Sequence, residues 1–338
     1  MEPEIDDLLF YVYIVASCIL RVLFGTYPWA FDVSGGGEKQ LMAYHQHLAK
    51  VGVSANLFDQ WDPKIKDHQL FHFFSVMPGS IQLCDHVKRQ GLPIVISPNL
   101  WVTPQTRDLY PHQDIASLLP IADAIVVNSD MEGDALSEVY SLPRSRFKTV
   151  YNGVEEDFFT HKDPNIFRTH FDIQGRFVLN VANIEPRKNQ LAFLRALKAF
   201  PDLILVSVGH IRDERYAQQC MEEAGTQLRY LGPIPYNSEL LRSGLAGCEF
   251  FAMPSTLETP SIAALEAFVS GIPVLITREG STTEYFGDSV RYVDPASLSS
   301  MRDGIAESLK WPRQPVQSAK YLWKNVVNDL VSVYRALT

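Results

Sequence analysis

Cysteine is scarce and unpatterned in this sequence. Cys18, Cys84, Cys220 and Cys248 include no C-x-x-C pair. Four scattered thiols in a chain of 338 residues do not make a disulfide framework, so a reducing cytoplasm is the expected setting. His and Cys also lack zinc-ligand spacing, and no metal site is expected. No basic tract occurs, and the formal net charge is -9. That excludes nucleic acid as a main partner, because phosphate backbones are held by clustered Lys and Arg. A small anionic ligand stays compatible, since a pocket can be locally positive in an acidic chain. The glycine-rich segment at residues 35–37 is neither a G-x-G-x-x-G fingerprint nor a G-x-x-x-x-G-K phosphate loop.

Long hydrophobic runs are absent too. Residues 8–20 (LLFYVYIVASCIL) are nearly all apolar, but Arg21 closes the run, short of the roughly 20 residues that span a bilayer. The preceding MEPEIDD is acidic, the wrong sign for a signal-peptide start. Residues 1–20 are therefore read as an extension packed on the body, with a membrane-surface anchor or a misplaced start as the alternatives.

What is present is an ordinary globular composition, 46% hydrophobic and 20% charged, at a length that accommodates two α/β domains. Apolar runs at RVLFGTYP, VSANLF, LFHFF, PIVIS and AIVVNS alternate with helical stretches. A second series, RFVLNVAN, LILVSVG, LRYLG, CEFFAMPS and PVLITRE, does the same from residue 176. Such alternation predicts parallel sheets with helices on both faces. FFTHKDPNIFRTHFDIQG between the series is polar and irregular, so the linker is expected there. The final AKYLWKNVVNDLVSVYRAL has helical spacing.

The most informative stretch is PSTLETPSIAALEAFVSGIP, residues 254–273. Thr259 followed by Pro260 reads as an N-cap and first helical position, and Gly271 with Pro273 as the stop. A helix start attracts phosphate through its free N–H groups and its dipole. Ser261 and Ile262 would offer those groups. Glu258 before the cap and Glu266 inside the helix, about 9 Å from its start at normal rise, would then accept from sugar and ribose hydroxyls on either side of a diphosphate.

P-S-x-x-E-x-x-x-x-x-x-x-E-A followed by G-x-P-V resembles the E-x7-E signature of the GT-B glycosyltransferases, specifically the retaining family 4 or group 1 type. SGGGE (34–38), ADAIVVNSDMEGDAL, FKTVYNGVEEDFF, NIEPRKNQ and GSTTEYFGDSVRYVDP resemble further ordered segments of that family. The resemblance implies two Rossmann-like, doubly wound parallel-sheet domains facing a cleft. The expected division is residues 1–20 as extension, 21–160 as acceptor-side domain and 161–176 as linker. Residues 177–312 would be the nucleotide-sugar domain, and 313–338 a helix crossing back to the N-terminal domain.

The resemblance also implies roles. Lys188 matches the family lysine, and Arg187 stands in for an arginine that the family carries at Asn183. With Glu258 they form the expected catalytic set, because fixed cations stabilise a leaving diphosphate. Glu266, Thr259, Ser261, Ile262, Gly36, Gly37 and Asn183 are expected at the donor, the glycines letting backbone approach it closely. Asn99 occupies the place of a sugar-facing histidine, and cannot titrate; His72 is a second candidate for that place. Glu284 matches an acidic position past the site. No D-x-D occurs, which fits a metal-independent reaction without cofactor.

The expected activity is transfer of a sugar, with retention, from a UDP- or GDP-sugar donor to a hydroxyl of a glycan or lipid-linked glycan. The expected place is the cytoplasm, with peripheral contact at the inner face of a membrane as the alternative. The alternatives are a GT-B binding protein without catalysis, another nucleotide-sugar enzyme such as an epimerase or phosphorylase, and a nicotinamide-dependent oxidoreductase, disfavoured by the missing glycine fingerprint.

Overall fold

The computed structural model describes residues 19–32, 34–160, 162–314 and 319–338. The apolar run lies outside the described residues up to Cys18, and Leu20 already belongs to a strand. The chain forms two compact units. One comprises residues up to Val127, Leu136–Val150 and Trp323–Thr338; the other comprises Asn128–Ala135 and Tyr151–Leu322.

The first unit is built on β1 (Leu20–Gly25), β2 (Val53–Leu57), β3 (Leu70–Phe74), β4 (Ile94–Ser97), β5 (Ala124–Val127) and β6 (Phe147–Thr149). All pair in parallel in the order β2-β1-β3-β4-β5-β6. β3, β4 and β5 are buried at every position. Their near-continuous apolar sequence reflects a sheet covered on both faces. One face packs on the helices Gly36–Leu48 and Trp323–Arg335, the other on Ser80–Arg89 and His112–Leu118.

Trp323–Arg335 shows why a C-terminal segment joins this unit. Trp323, Val326, Val327, Leu330, Val331 and Tyr334 fall on one helical stripe and are all buried. Trp323 meets Tyr44 edge-on, with ring centres 5.7 Å apart.

The second unit repeats the plan with β7 (Arg176–Val181), β8 (Leu203–Val208), β9 (Leu228–Tyr230), β10 (Phe251–Met253), β11 (Val274–Thr277) and β12 (Arg291–Val293). Its parallel order is β12-β11-β10-β7-β8-β9. The chain runs outward from β7 in one direction and from β10 in the other. The loops after β7 and β10 therefore diverge at the switch point, where open parallel sheets bind ligands. Cys84, Cys220 and Cys248 are buried free thiols. Among the described residues, no helix is long and apolar enough to cross a membrane.

The polar stretch assigned to a linker contains the helix Asn165–Phe171, whose Phe167 is buried and stacks on Phe177 at 5.8 Å. Ser243 ties it down, its hydroxyl accepting from Phe167 N–H at 2.9 Å and donating to the Asp163 carbonyl at 2.5 Å. Phe167 is the one buried residue of this helix, too little to give a periodic pattern. The chain passes from one unit to the other at Val127/Asn128, Ala135/Leu136, Val150/Tyr151 and Leu322/Trp323.

His72 is a core residue of β3. Its Nδ1 lies 2.6 Å from the Tyr334 hydroxyl and its Nε2 2.8 Å from the Ser97 hydroxyl. Neutral imidazole has one donor and one acceptor, so this pairing satisfies both nitrogens. Burial holds its pKa well below the ordinary value. The unfolded chain takes up this proton near pH 6.5, so the stabilising contribution is complete above about pH 6.5 and declines as the pH falls below it. His72→Gln is expected to flatten the stability slope between about pH 6.5 and 5, measured by denaturant unfolding of the full chain. Tyr334→Phe, which strands one ring nitrogen, is expected to lower stability at pH 7 by about 1–3 kcal/mol.

Candidate functional site

The loop after β7 turns tightly. Pro186–Lys188 is a single 3₁₀ turn, and Asn189 ends it in the left-handed region (φ 58°). The Asn189 side-chain amide donates to the carbonyls of Pro254 (3.1 Å) and Pro295 (2.9 Å). Thr256 N–H donates to the Arg187 carbonyl at 2.9 Å. The loops after β7 and β10 are thus fastened to each other, and Arg187 and Lys188 lie along the seam.

The loop after β11 joins them through Glu258. Glu258 N–H donates to the Glu279 carbonyl and Ser281 N–H to the Glu258 carbonyl, both at 3.1 Å. This one-residue parallel bridge brings Gly280 (φ 98°) so close that a Cβ there would lie 2.0 Å from the Glu258 carbonyl oxygen. Gly280 is required both for its backbone conformation and for this approach.

The side chains complete the arrangement. The Lys188 ammonium lies 2.6 Å from Glu258 Oε1, and the Arg187 guanidinium 3.8 Å from the same oxygen. Arg187 also donates to the Leu257 carbonyl at 3.2 Å and pairs with Glu185 at 3.0 Å. Glu258 is only 4% exposed. Burial favours its protonated form, but the charges of Lys188 and Arg187 outweigh that and hold its carboxyl below the usual range. Burial lowers the Lys188 ammonium, against the attraction of Glu258. The result is a fixed carboxylate with two cations beside it, on a rigid backbone at the switch point.

Glu185 and Arg212 extend the network, with 3.7 Å between their charged groups. Neither was singled out in the sequence. Glu185 is inside NIEPRKNQ, but nothing in the spacing links it to Arg212, which β8 and the following loop bring alongside.

The helix after β10 differs from expectation. It runs Ile262–Val269, and its N-cap is Ser261, whose hydroxyl accepts from Ala264 N–H at 3.2 Å. Thr259 and Pro260 precede it. Gly271, in the left-handed region (φ 75°), follows the C-cap Ser270 as the stop. Glu266, buried at 2% exposure, is four residues beyond the first helical residue, or about 6 Å at normal rise rather than about 9 Å. A competent hydroxyl cap was available at both positions, and the bridge at Glu258 holds the chain extended two residues longer.

Asn183 does local work. Its side-chain oxygen accepts from His210 N–H at 3.2 Å, and its carbonyl accepts from the Gln190 side chain at 3.0 Å. Glu284 caps the Asp130–Tyr140 helix from outside: its carboxylate accepts from Asp130 N–H (2.8 Å), Met131 N–H (2.9 Å) and the Tyr151 hydroxyl (2.8 Å). Gly36, Gly37 and Asn99 belong to the first unit. There Asn99 adopts a left-handed backbone (φ 49°), and a Cβ on Gly37 would lie 3.3 Å from its amide nitrogen. Glu38 closes the glycine turn, accepting from Gly35 N–H at 2.6 Å. Among the described residues, no cluster of three or more His, Cys, Asp or Glu is placed to hold a metal ion.

Two predictions follow from this geometry. Gly280→Ala is expected to destabilise the chain by at least the about 1–3 kcal/mol of a strained backbone residue, read as a lowered denaturation midpoint. Lys188→Ala leaves a buried carboxylate unpaired and is expected to cost about 3–5 kcal/mol, whereas Lys188→Met with Glu258→Leu recovers most of that loss. A double-mutant cycle by denaturant unfolding checks the coupling.

The family description Glycosyl transferases group 1 matches residues 162–324. The chain is 26% identical over 256 residues to the O-antigen chain mannosyltransferase B of Escherichia coli, covering 69% of this chain and 66% of that protein. It is 26% identical over 230 residues to the D-inositol 3-phosphate glycosyltransferase of Mycolicibacterium smegmatis, covering 63% and 52% respectively. The matched region thus spans between half and two thirds of these relatives' lengths. The structure of Anabaena HepE in complex with UDP-glucose superimposes with a TM-score of 0.75 at 15% identity, covering 94% of this chain and all of that one. Residues 162–324 therefore match the group 1 glycosyl transferase description, in a chain whose two six-stranded parallel sheets have the GT-B fold.

Proposed function

We propose that this chain is a hexosyltransferase that moves a sugar from a nucleoside-diphosphate sugar to a hydroxyl acceptor. The observation that carries the proposal is the Lys188–Glu258 pair at 2.6 Å, with Arg187 beside it, where the loops after β7 and β10 diverge. In the proposed reaction the bond from the anomeric carbon to the diphosphate breaks, and a new bond forms to the acceptor oxygen. The acceptor proton passes to an oxygen of the leaving diphosphate on the same face, which gives retention and needs no enzymic base. Charge grows on the diphosphate as it leaves, and Arg187 and Lys188 offset that charge without a metal ion. Glu258 holds the Lys188 ammonium in place and accepts from sugar hydroxyls. Ser261, Ile262 and Thr259 present the helix start to the phosphates, and Glu266 accepts from the ribose.

A UDP-sugar is the favoured donor, supported by the UDP-glucose bound in the Anabaena HepE structure. The acceptor is proposed to be a glycan, by likeness to a relative named for O-antigen chain mannosylation. The setting proposed is the cytoplasm, where a lipid-linked glycan would place the reaction at the inner membrane face.

A thermal-shift series with UDP-glucose, UDP-galactose, GDP-mannose and UDP tests the donor. A donor at one hundred times its Kd is expected to stabilise by about 2.7 kcal/mol, and no shift with any of them overturns the reading. Glu258→Gln is expected to lower transfer by about 10²–10³-fold, and NMR of the product anomer checks retention. Donor binding with neither transfer nor hydrolysis would instead make the chain a non-catalytic GT-B binder; epimerised donor without acceptor would make it an epimerase.

A further inference from the structure

Two exposed indoles stand on the loops that leave the C-terminal ends of β1 and β2. Trp61 is 87% exposed and Trp29 is 55% exposed, with Phe31 and Leu57 also open to solvent. The two strands are paired neighbours, Phe24 opposite Leu57, and Phe58 N–H continues the pairing to the Phe24 carbonyl at 2.7 Å. Both loops therefore emerge side by side from one end of the sheet. Large exposed apolar side chains gathered on adjoining loops are candidates for a binding surface.

Neither indole is on a slack segment. Trp61 N–H donates to the Asp59 carboxylate at 2.8 Å, and Asp62 N–H donates to the Asp59 carbonyl at 3.2 Å, so Asp59 closes the turn that presents Trp61. Trp29 lies between two successive turns, Ala30 N–H to Tyr27 O and Asp32 N–H to Trp29 O, each 3.2 Å. Tyr27 packs edge-on against Trp29 at 5.6 Å, and its hydroxyl donates to Glu38, the residue that closes the glycine turn. Rigid aromatics lose little entropy on binding, which is why Trp dominates contact surfaces.

Charge selects the partner. Residues 26–35 contain no Lys or Arg and include Asp32. On the other loop Asp59 and Asp62 flank Trp61, and Lys64 is paired with Asp62 at 2.6 Å. Anionic lipid surfaces and nucleic acids attract basic segments, so this acidic surface suits neither. A neutral sugar fits both features. The C–H face of its ring lies flat on an indole, whose π-face is negative, while its outward hydroxyls donate to carboxylates at the rim.

We propose that Trp29 and Trp61 form a stacking surface for a neutral glycan on the first unit, Trp61 binding one sugar ring and Trp29 a second nearer the glycine turn. As an acceptor site this rests on the proposed transfer reaction; as a glycan-binding surface it does not.

The test uses the full chain and neutral gluco-, manno- and galacto-oligosaccharides, followed by isothermal titration and by intrinsic tryptophan fluorescence. At least one oligosaccharide is expected to bind and shift the emission. Trp61→Ala and Trp29→Ala are each expected to weaken that binding fivefold or more, and Trp61→Phe, which keeps a ring, to restore most of it. Circular dichroism confirms that each variant is folded. Trp61→Ala is expected to leave the nucleotide-sugar thermal shift unchanged, so loss of glycan binding is distinguishable from failure of the donor reading. The proposal is overturned if the unmodified chain binds none of the oligosaccharides, or if both alanine variants bind as well as it does. It is also overturned if the substitutions instead abolish co-sedimentation with phosphatidylcholine–phosphatidylglycerol vesicles.

Discussion

The second unit depends on a buried pair of opposite charges, Lys188 with Glu258, 2.6 Å apart. Removing either group from water is costly, and the pair persists because each partner compensates the other. For the two to meet, residues seventy positions apart must be held at the same height above the sheet. The chain achieves this with backbone: the bridge of Glu258 to the loop after β11, the contact of Thr256 with Arg187, and the left-handed turn at Asn189. Each would be a weak interaction alone. Together they leave the side chains little freedom, and that preorganisation is what a site must have to stabilise developing charge.

Polar groups elsewhere in the chain serve to join distant segments. Glu284 caps a helix that begins 154 residues earlier, and His72 is clasped between Ser97 on the neighbouring strand and Tyr334 on the last helix. Both residues are of chemically active types and both are fully engaged in holding the fold. A carboxylate or imidazole acquires a chemical task only where its surroundings leave a face for a ligand. Glu284 accepts from two backbone N–H groups and a phenol at once, so its charge is spent on the helix start.

Most strands were legible because parallel sheets buried on both faces require short apolar runs, and β3, β4, β5, β7, β8, β10 and β11 have them. β6 and β12, three residues each, were visible only as parts of motifs. Their sequence is too short to carry a period, and pairing with β5 and β11 makes them strands. The helix Asn165–Phe171 was read as linker for a related reason: Phe167 is its one buried residue, and one aromatic in a polar stretch is no pattern. In the site, Glu258, Arg187 and Lys188 stood out by residue type and order. The helix start was placed two residues early because Thr259 and Ser261 are equally good caps by chemistry. Arg212 was missed because only folding brings it to Glu185.

Sequence alone determined the alternation of strand and helix, the location of the carboxylate and the cations, and the resemblance to group 1 glycosyltransferases. These are local properties: they depend on residue type and near-neighbour spacing, which the chain carries before it folds. Tertiary structure decided which Ser or Thr caps the helix, that Glu258 is bonded to Lys188, that Glu284 and His72 are structural, and that Trp29 and Trp61 face solvent. Each of those outcomes depends on burial or on a partner remote in sequence, and neither exists until the sheets are assembled.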